Sequence, residues 1–324
     1  MKRTLENSKV AVIGLGYVGM PLALAMAKHG PVVGFDINQT RVEDLKRGWD
    51  SNREIRQADL RTTACVFTDD PADIRDAHVY IVTVPTPIDD QNEPDLIAVR
   101  KASELIGKVL KKGDIAVYES TVYPGVTEDI CGPILEKASG LTCGKDFYLG
   151  YSPERINPGD TEHTVDRITK IVAGQTPQVT EFLAALYGRV NGNNIFKAKD
   201  IKTAEAAKAI ENAQRDINIA FINEVTMLLN KMGLSSLDVL EAARTKWNFL
   251  PFMPGLVGGH CIGVDPYYLA RAARDIGHEP EVILAGRKIN DSMGHYVAGR
   301  IDRFLNRSRG FDAEPADVLL LGFT

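Results

Sequence analysis

Apolar positions along the first half of the chain follow two alternating rhythms. Val10 to Ile13 is a short unbroken apolar run and Val32 to Phe35 reads as a second strand; further strand candidates lie at Val79 to Val84, Ile115 to Tyr118 and Ile168 to Val172. Runs of this length, flanked by turn residues, predict strands buried on both faces. Between them the apolar residues take helical spacing. Leu22, Leu24, Ala25 and Met26 belong to one such helix, which the pattern ends near Gly30, and Pro21 suits its first turn, where no backbone donor is needed. Strand and helix alternate, so the fold class is α/β, with an N-terminal doubly wound parallel sheet. After Lys199 the rhythm changes. Ala206, Ala209, Ile210, Ala213, Ile217, Ala220, Phe221, Val225, Leu228 and Leu229 keep helical spacing without a glycine or proline from Ala204 to Lys231. That predicts one helix of about 28 residues, roughly 40 Å long, of the kind that links domains or forms a dimer interface. The expected division is a sheet domain over 1–200, a central helical domain over 201–305, and, at 306–324, the first strand of a third domain. That strand, 316–321, has no partner of its own in the chain.

The first strand runs into Gly14-Leu15-Gly16-Tyr17-Val18-Gly19, and Asp36 stands at the end of the second strand. A glycine turn between strand and helix, with a carboxylate about twenty residues on, is the Rossmann-type dinucleotide fingerprint. Gly14 permits the tight turn, Gly16 lets a pyrophosphate approach the backbone, and Gly19 lets helix pack on strand. The helix start then offers N–H groups to the phosphates. A carboxylate at Asp36 would bind the adenosine ribose and repel a 2′-phosphate, which favours NAD; Arg41 nearby keeps NADP open.

A second constellation lies far downstream. Gly258-Gly259-His260-Cys261-Ile262-Gly263-Val264-Asp265-Pro266 places one cysteine after flexible backbone, with a carboxylate four residues on. This suits a nucleophile better than a packing residue, whereas Cys65, Cys131 and Cys143 read as small buried hydrophobes. Asp265 also suits an N-cap for the helix that follows. Lys208, Asn212 and Arg215 fall at i, i+4 and i+7 on the long helix, so they share a face. Such a stripe either cradles an anionic substrate or is simply solvated.

Composition narrows the classes. With 324 residues, 44% hydrophobic and 25% charged, the chain reads as an ordinary globular protein of more than one domain. A net charge of -5 without a basic stripe speaks against nucleic acid. No apolar run suits a membrane span or a signal peptide. Four cysteines without CxxC pairing read as reduced thiols, so a cytoplasmic protein with no metal site is expected.

Taken together, the glycine turn, Val84-Pro85-Thr86-Pro87, Tyr118-Glu119-Ser120-Thr121-Val122, Tyr151-Ser152-Pro153-Glu154-Arg155-Ile156, Ala206-Ala207-Lys208-Ala209-Ile210-Glu211-Asn212 and the Gly-Gly-His-Cys loop resemble the UDP-glucose/GDP-mannose dehydrogenase family. Thr245-Lys246-Trp247-Asn248-Phe249-Leu250-Pro251-Phe252 resembles its UDP-N-acetylhexosamine branch. The resemblance implies oxidation of the C6 alcohol of a UDP-N-acetylhexosamine to a uronic acid with two NAD, for bacterial surface polysaccharide. It implies that Lys208 and Asp265 handle the hydroxyl proton, that Cys261 captures the aldehyde, and that Lys208 and Asn212 face its oxyanion. Glu154 would activate the hydrolytic water and Thr121 position it. Arg155, Ile156, Arg215 and Gly258 are implied as substrate contacts; Tyr17, Val18, Arg41, Thr86 and Thr121 as NAD contacts. His260 is given a structural or substrate-contact role. A homodimer through the long helix is implied as well. Relatives continue for about another hundred residues into a UDP-binding domain, so a chain ending at Thr324 is expected to keep NAD binding and turn over weakly. UDP-glucose or GDP-mannose as substrate, a single-hydride β-hydroxyacid or 6-phosphogluconate type dehydrogenase, and a non-catalytic NAD-binding or dimerising module remain open alternatives.

Overall fold

The computed structural model describes residues 4–155, 166–259, 262–309 and 316–321. Eight strands form one sheet: β1 (Val10–Ile13), β2 (Val32–Phe35), β3 (Val66–Thr68), β4 (Val79–Val82), β5 (Ile115–Tyr118), β6 (Tyr148–Tyr151), β7 (Lys170–Gly174) and β8 (Ile195–Lys197). The helices are α1 (Gly19–Ala27), α2 (Gln39–Lys46), α3 (Gln57–Thr62), α4 (Ile97–Gly107), α5 (Gly132–Ser139), α6 (Pro177–Asn191), α7 (Ile201–Lys231), α8 (Ser236–Arg244), α9 (Asp265–Asp275) and α10 (Glu281–Arg309).

The strand order is β3-β2-β1-β4-β5-β6-β7-β8, and every neighbouring pair is parallel except β6 with β7. The order reverses between β1 and β4, the switch point at which doubly wound sheets bind ligands beyond their strands' carboxyl ends. Strands β1, β2, β4 and β5 are buried along their whole length, as the unbroken apolar runs require. Strands β1 to β6 therefore deliver the residues that follow them to one common edge, while β7 and β8 run the other way.

Several expectations change in detail. Helix α1 stops at Ala27, with Lys28 as its cap, rather than at Gly30. The fifth predicted strand is shifted two residues, to Lys170–Gly174. Strands β3, β6 and β8 were not predicted: β3 and β8 are only three residues long and end in Thr68 and Lys197, and β6 is Tyr148-Leu149-Gly150-Tyr151. The long helix starts earlier than its apolar stripe, at Ile201, since its first turn carries Lys202 and Thr203. Residues 316–321 form no strand: Leu319, Leu320 and Leu321 are exposed, as an apolar segment without a ladder partner must be.

By its contacts the chain divides into two compact units, 1–209 and 210–324, with the division falling inside α7. In the second unit, buried Asn223 brackets Gly255, donating to its carbonyl (3.0 Å) and accepting from its N–H (2.8 Å). Asn223 also donates to Asn290, which donates to Asp216, and Arg287 donates to the same Asp216 carboxylate at 2.6 Å. Arg287 lies over the Tyr267 ring at 5.7 Å.

Candidate active site

The first unit assembles its chemistry along the carboxyl edge of the sheet. Gly14 adopts φ +96°, a left-handed conformation in which a side chain would be strained. A Cβ on Gly19 would stand 1.9 Å from the Gly14 carbonyl oxygen and 2.3 Å from Thr83 Oγ1, so helix and turn touch backbone to backbone. Around Gly16 a Cβ would meet nothing within 4 Å, so this glycine keeps an open face rather than a packing contact. No side chain caps the start of α1. An open glycine face beside an uncapped helix start fits a dinucleotide's pyrophosphate. Tyr17 and Val18 stand in this turn, and Thr86 follows β4 at the same edge.

Asp36 is tied into the turn: its carboxylate accepts the N–H of Leu15 (2.7 Å) and of Asn38 (2.9 Å). Arg41, implied as a cofactor contact, is buried. Its Nε donates to the Leu15 carbonyl at 3.0 Å and its Nη1 to Asp50 at 2.5 Å. Burial works against the Asp50 charge, but Arg41 and the backbone N–H groups of Ile55 and Asn52 outweigh it and hold the carboxyl below its usual range.

Beyond β5 and β6 lies a buried ionic cluster. The β6–β7 register carried three residues further sets Lys170 across from Glu154. Lys170 donates to Glu119 at 2.5 Å and to Glu154 at 3.2 Å; Tyr187 donates to the other Glu119 oxygen at 2.5 Å. Glu154 also accepts from the N–H of Arg155 at 2.6 Å. Burial opposes the Lys170 charge, yet the two carboxylates prevail and raise its pKa; burial pushes Glu119 upward despite Lys170. Glu154 was expected here; Glu119, Lys170 and Tyr187 were not. The Arg155 guanidinium donates to the Thr169 carbonyl at 3.0 Å.

Thr121, half-buried, lies in the loop after β5, and Glu205 of α7 closes that loop. The Glu205 carboxylate accepts from Gly125 N–H (2.6 Å) and Thr127 N–H (3.0 Å). Burial lifts its pKa from 4.5 to about 7. The folded chain therefore binds this proton more tightly than the unfolded chain does. Glu205 should cost stability as pH rises through that window, by about 3 kcal/mol in all. Urea midpoints at pH 5 and pH 8 should differ accordingly, and Glu205→Gln should flatten the fall.

Lys208 and Asn212 are both buried, so their stripe is not a solvated face; Arg215 is half-buried. Lys208 has no hydrogen-bond or ion-pair partner among the described residues. Within the second unit Asn212 Nδ2 donates to Asp265 at 2.5 Å, uniting two residues that the sequence placed 53 positions apart. Asp265 is the first residue of α9, not its N-cap, and its carboxylate faces Asn212 rather than capping the helix. Gly258 is exposed with open space around it. Cys261, His260 and Ile156 lie outside the described residues. A cleft of about 380 Å³ exists at the start of α6, between Thr176 and Lys199, but none of the expected site residues lines it.

Residues 8–191 match the NAD-binding domain of the UDP-glucose/GDP-mannose dehydrogenase family, and residues 202–292 match its central domain. The chain is 55% identical over 321 residues to the UDP-N-acetyl-D-glucosamine 6-dehydrogenase of Pseudomonas aeruginosa, covering 99% of this chain and 76% of that protein. It is 51% identical to the enzyme of the same name from Salmonella typhi, covering 99% and 75%. Among solved structures, the UDP-D-ManNAc dehydrogenase of Pyrococcus horikoshii superposes with a TM-score of 0.85 at 31% identity, covering 93% and 72%.

Proposed function

Because the chain belongs to the UDP-glucose/GDP-mannose dehydrogenase family, we propose that it oxidises the C6 alcohol of UDP-N-acetylglucosamine to the uronic acid. The observation that carries this reading is identity above 50% across nearly the whole chain to two enzymes named for that substrate. NAD bound along the glycine turn would supply the hydride acceptor for each of the two oxidations. The turn at Gly14, Gly16 and Gly19, with Tyr17, Val18, Asp36, Thr86 and Thr121, would hold it.

The residues of this chain do the rest. Lys208 and Asp265 take the hydroxyl proton, with Asn212 fixing the Asp265 carboxylate. Cys261 adds to the aldehyde as a thiohemiacetal, whose oxyanion Lys208 and Asn212 stabilise. Its oxidation leaves a thioester on Cys261. Glu154 removes a proton from the water that cleaves it, and Thr121 positions that water. Arg155, Ile156, Arg215 and Gly258 serve as sugar-nucleotide contacts. Exposed Ile210, Phe221 and Leu228 share one face of α7 and support a homodimer through that helix. No helix among the described residues is long and apolar enough to cross a membrane, and we place the reaction in the cytoplasm.

The test is a single-turnover reaction, enzyme in excess over sugar, in which even a slow chain completes the chemistry. Two NADH per UDP-N-acetylglucosamine and a uronic acid product are expected, with no acid from Cys261→Ser. One NADH per sugar, or acid from the serine variant at the parent rate, overturns the reading; preference for UDP-glucose would move the substrate within the family.

A further inference from the structure

Leu15, in the middle of the glycine turn, has both backbone polar groups held by side chains. Its N–H goes to Asp36 and its carbonyl to Arg41. Asp36 is the expected ribose contact. Arg41 is the residue whose chemistry would suit a 2′-phosphate, because a guanidinium fork grips phosphate in a bidentate way. Here the fork is occupied. Nε is on Leu15, while Nη1 is shared between Asp50 and the Ser51 hydroxyl (3.1 Å). Only Nη2 is left, buried and without a partner. A single remaining donor can serve a hydroxyl, but it cannot form a fork.

Asp50 is what keeps Arg41 in this posture. It is 5% exposed, and its carboxylate is fixed by the N–H groups of Asn52 (3.1 Å), Glu54 (2.8 Å) and Ile55 (2.8 Å). With its acceptor pinned to a turn by three backbone donors, the arginine has no low-cost way to swing out. Release would leave a buried carboxylate without its counter-ion, which is strongly unfavourable.

We propose that Asp50 is a specificity-determining residue for the cofactor: by locking Arg41 against Leu15 it withholds the cation that NADP would need. Asp36 repels the 2′-phosphate and Asp50 denies it a partner, so two carboxylates enforce one choice. The inference concerns the cofactor alone and stands whichever sugar is oxidised.

Dissociation constants for NAD and NADP, measured by calorimetry on the whole chain, test it without any turnover. The parent should prefer NAD. Asp50→Asn, nearly isosteric, should narrow the NAD-to-NADP ratio at least tenfold, and adding Arg41→Met should abolish that gain. Asp50→Ser, which can still accept from the turn's amides, is the second variant and should read the same way; far-UV circular dichroism selects whichever of the two is folded. A ratio unchanged within twofold in the folded variant overturns the proposal. So does an equal narrowing when Arg41 is also removed, since Asp50 would then act by its own charge and not through Arg41.

Discussion

Glu154→Gln is expected to lower the steady-state rate of acid formation by about 10²- to 10⁴-fold, the range that a positioned general base supplies. Loss should fall on the hydrolytic half of the reaction. Both hydrides leave before water is needed, so rapid mixing should still show a burst of NADH, after which mass spectrometry should find the sugar acyl group on Cys261. Binding of NAD should be unchanged, because Glu154 follows β6 while the glycine turn follows β1. The substitution is mild at the backbone: a glutamine oxygen still accepts the Arg155 N–H that Glu154 now accepts. Continued acid formation at the parent rate, with no acyl enzyme, would remove Glu154 from the chemistry.

Lys170→Met is expected to be the most destabilising single change in the sheet domain. Lys170 is 2% exposed and neutralises two carboxylates, Glu119 at 1% and Glu154 at 8% exposure. Removing one partner from a buried ion pair typically costs about 3–5 kcal/mol, because the charge left behind is neither solvated nor paired. The expected reading is a fall of that size in urea unfolding free energy. The double variant Lys170→Met/Glu119→Gln should recover part of it, since Tyr187 can still donate to a glutamine oxygen at position 119. If the double variant is as unstable as the single one, the cost lies in lost packing of the lysine stem rather than in the charge.

The same cluster marks the limit of what the sequence made legible. The cofactor end could be read because its information is local: strand, glycine turn, helix and Asp36 lie within 27 residues, and each has a role set by geometry. Lys208 and Asn212 could be paired because helical spacing alone puts them on one face. The bond between Asn212 and Asp265 could not, since nothing in either segment encodes where a loop 53 residues away returns. Lys170 lies in the middle of the strand predicted over 168–172, where a lone charge points to no partner. Its meaning depends on β7 running against β6, and an apolar run carries no sign of its direction. Asp50 was hidden for the opposite reason: it sits in Gly48-Trp49-Asp50-Ser51-Asn52-Arg53, a stretch that looks like a solvated turn until the arginine beneath it is seen. The apolar end of the chain reads as a strand from its composition alone, yet a strand also needs a ladder partner, and 316–321 has none among the described residues.

The reversed strand also decides which member of the Lys170–Glu154 pair is free to adjust. In a strictly parallel sheet only residues that follow a strand reach the carboxyl edge, so every group there hangs on a loop. Because β7 enters from that edge, Lys170 is the first residue of a hydrogen-bonded strand, while Glu154 comes three residues after β6 has ended. The cation is thus a fixed post and the carboxylate a tethered arm. If Glu154 is the proposed base, its place on the arm lets it meet water at one stage and let go of a proton at another, with the post setting the direction in which it returns.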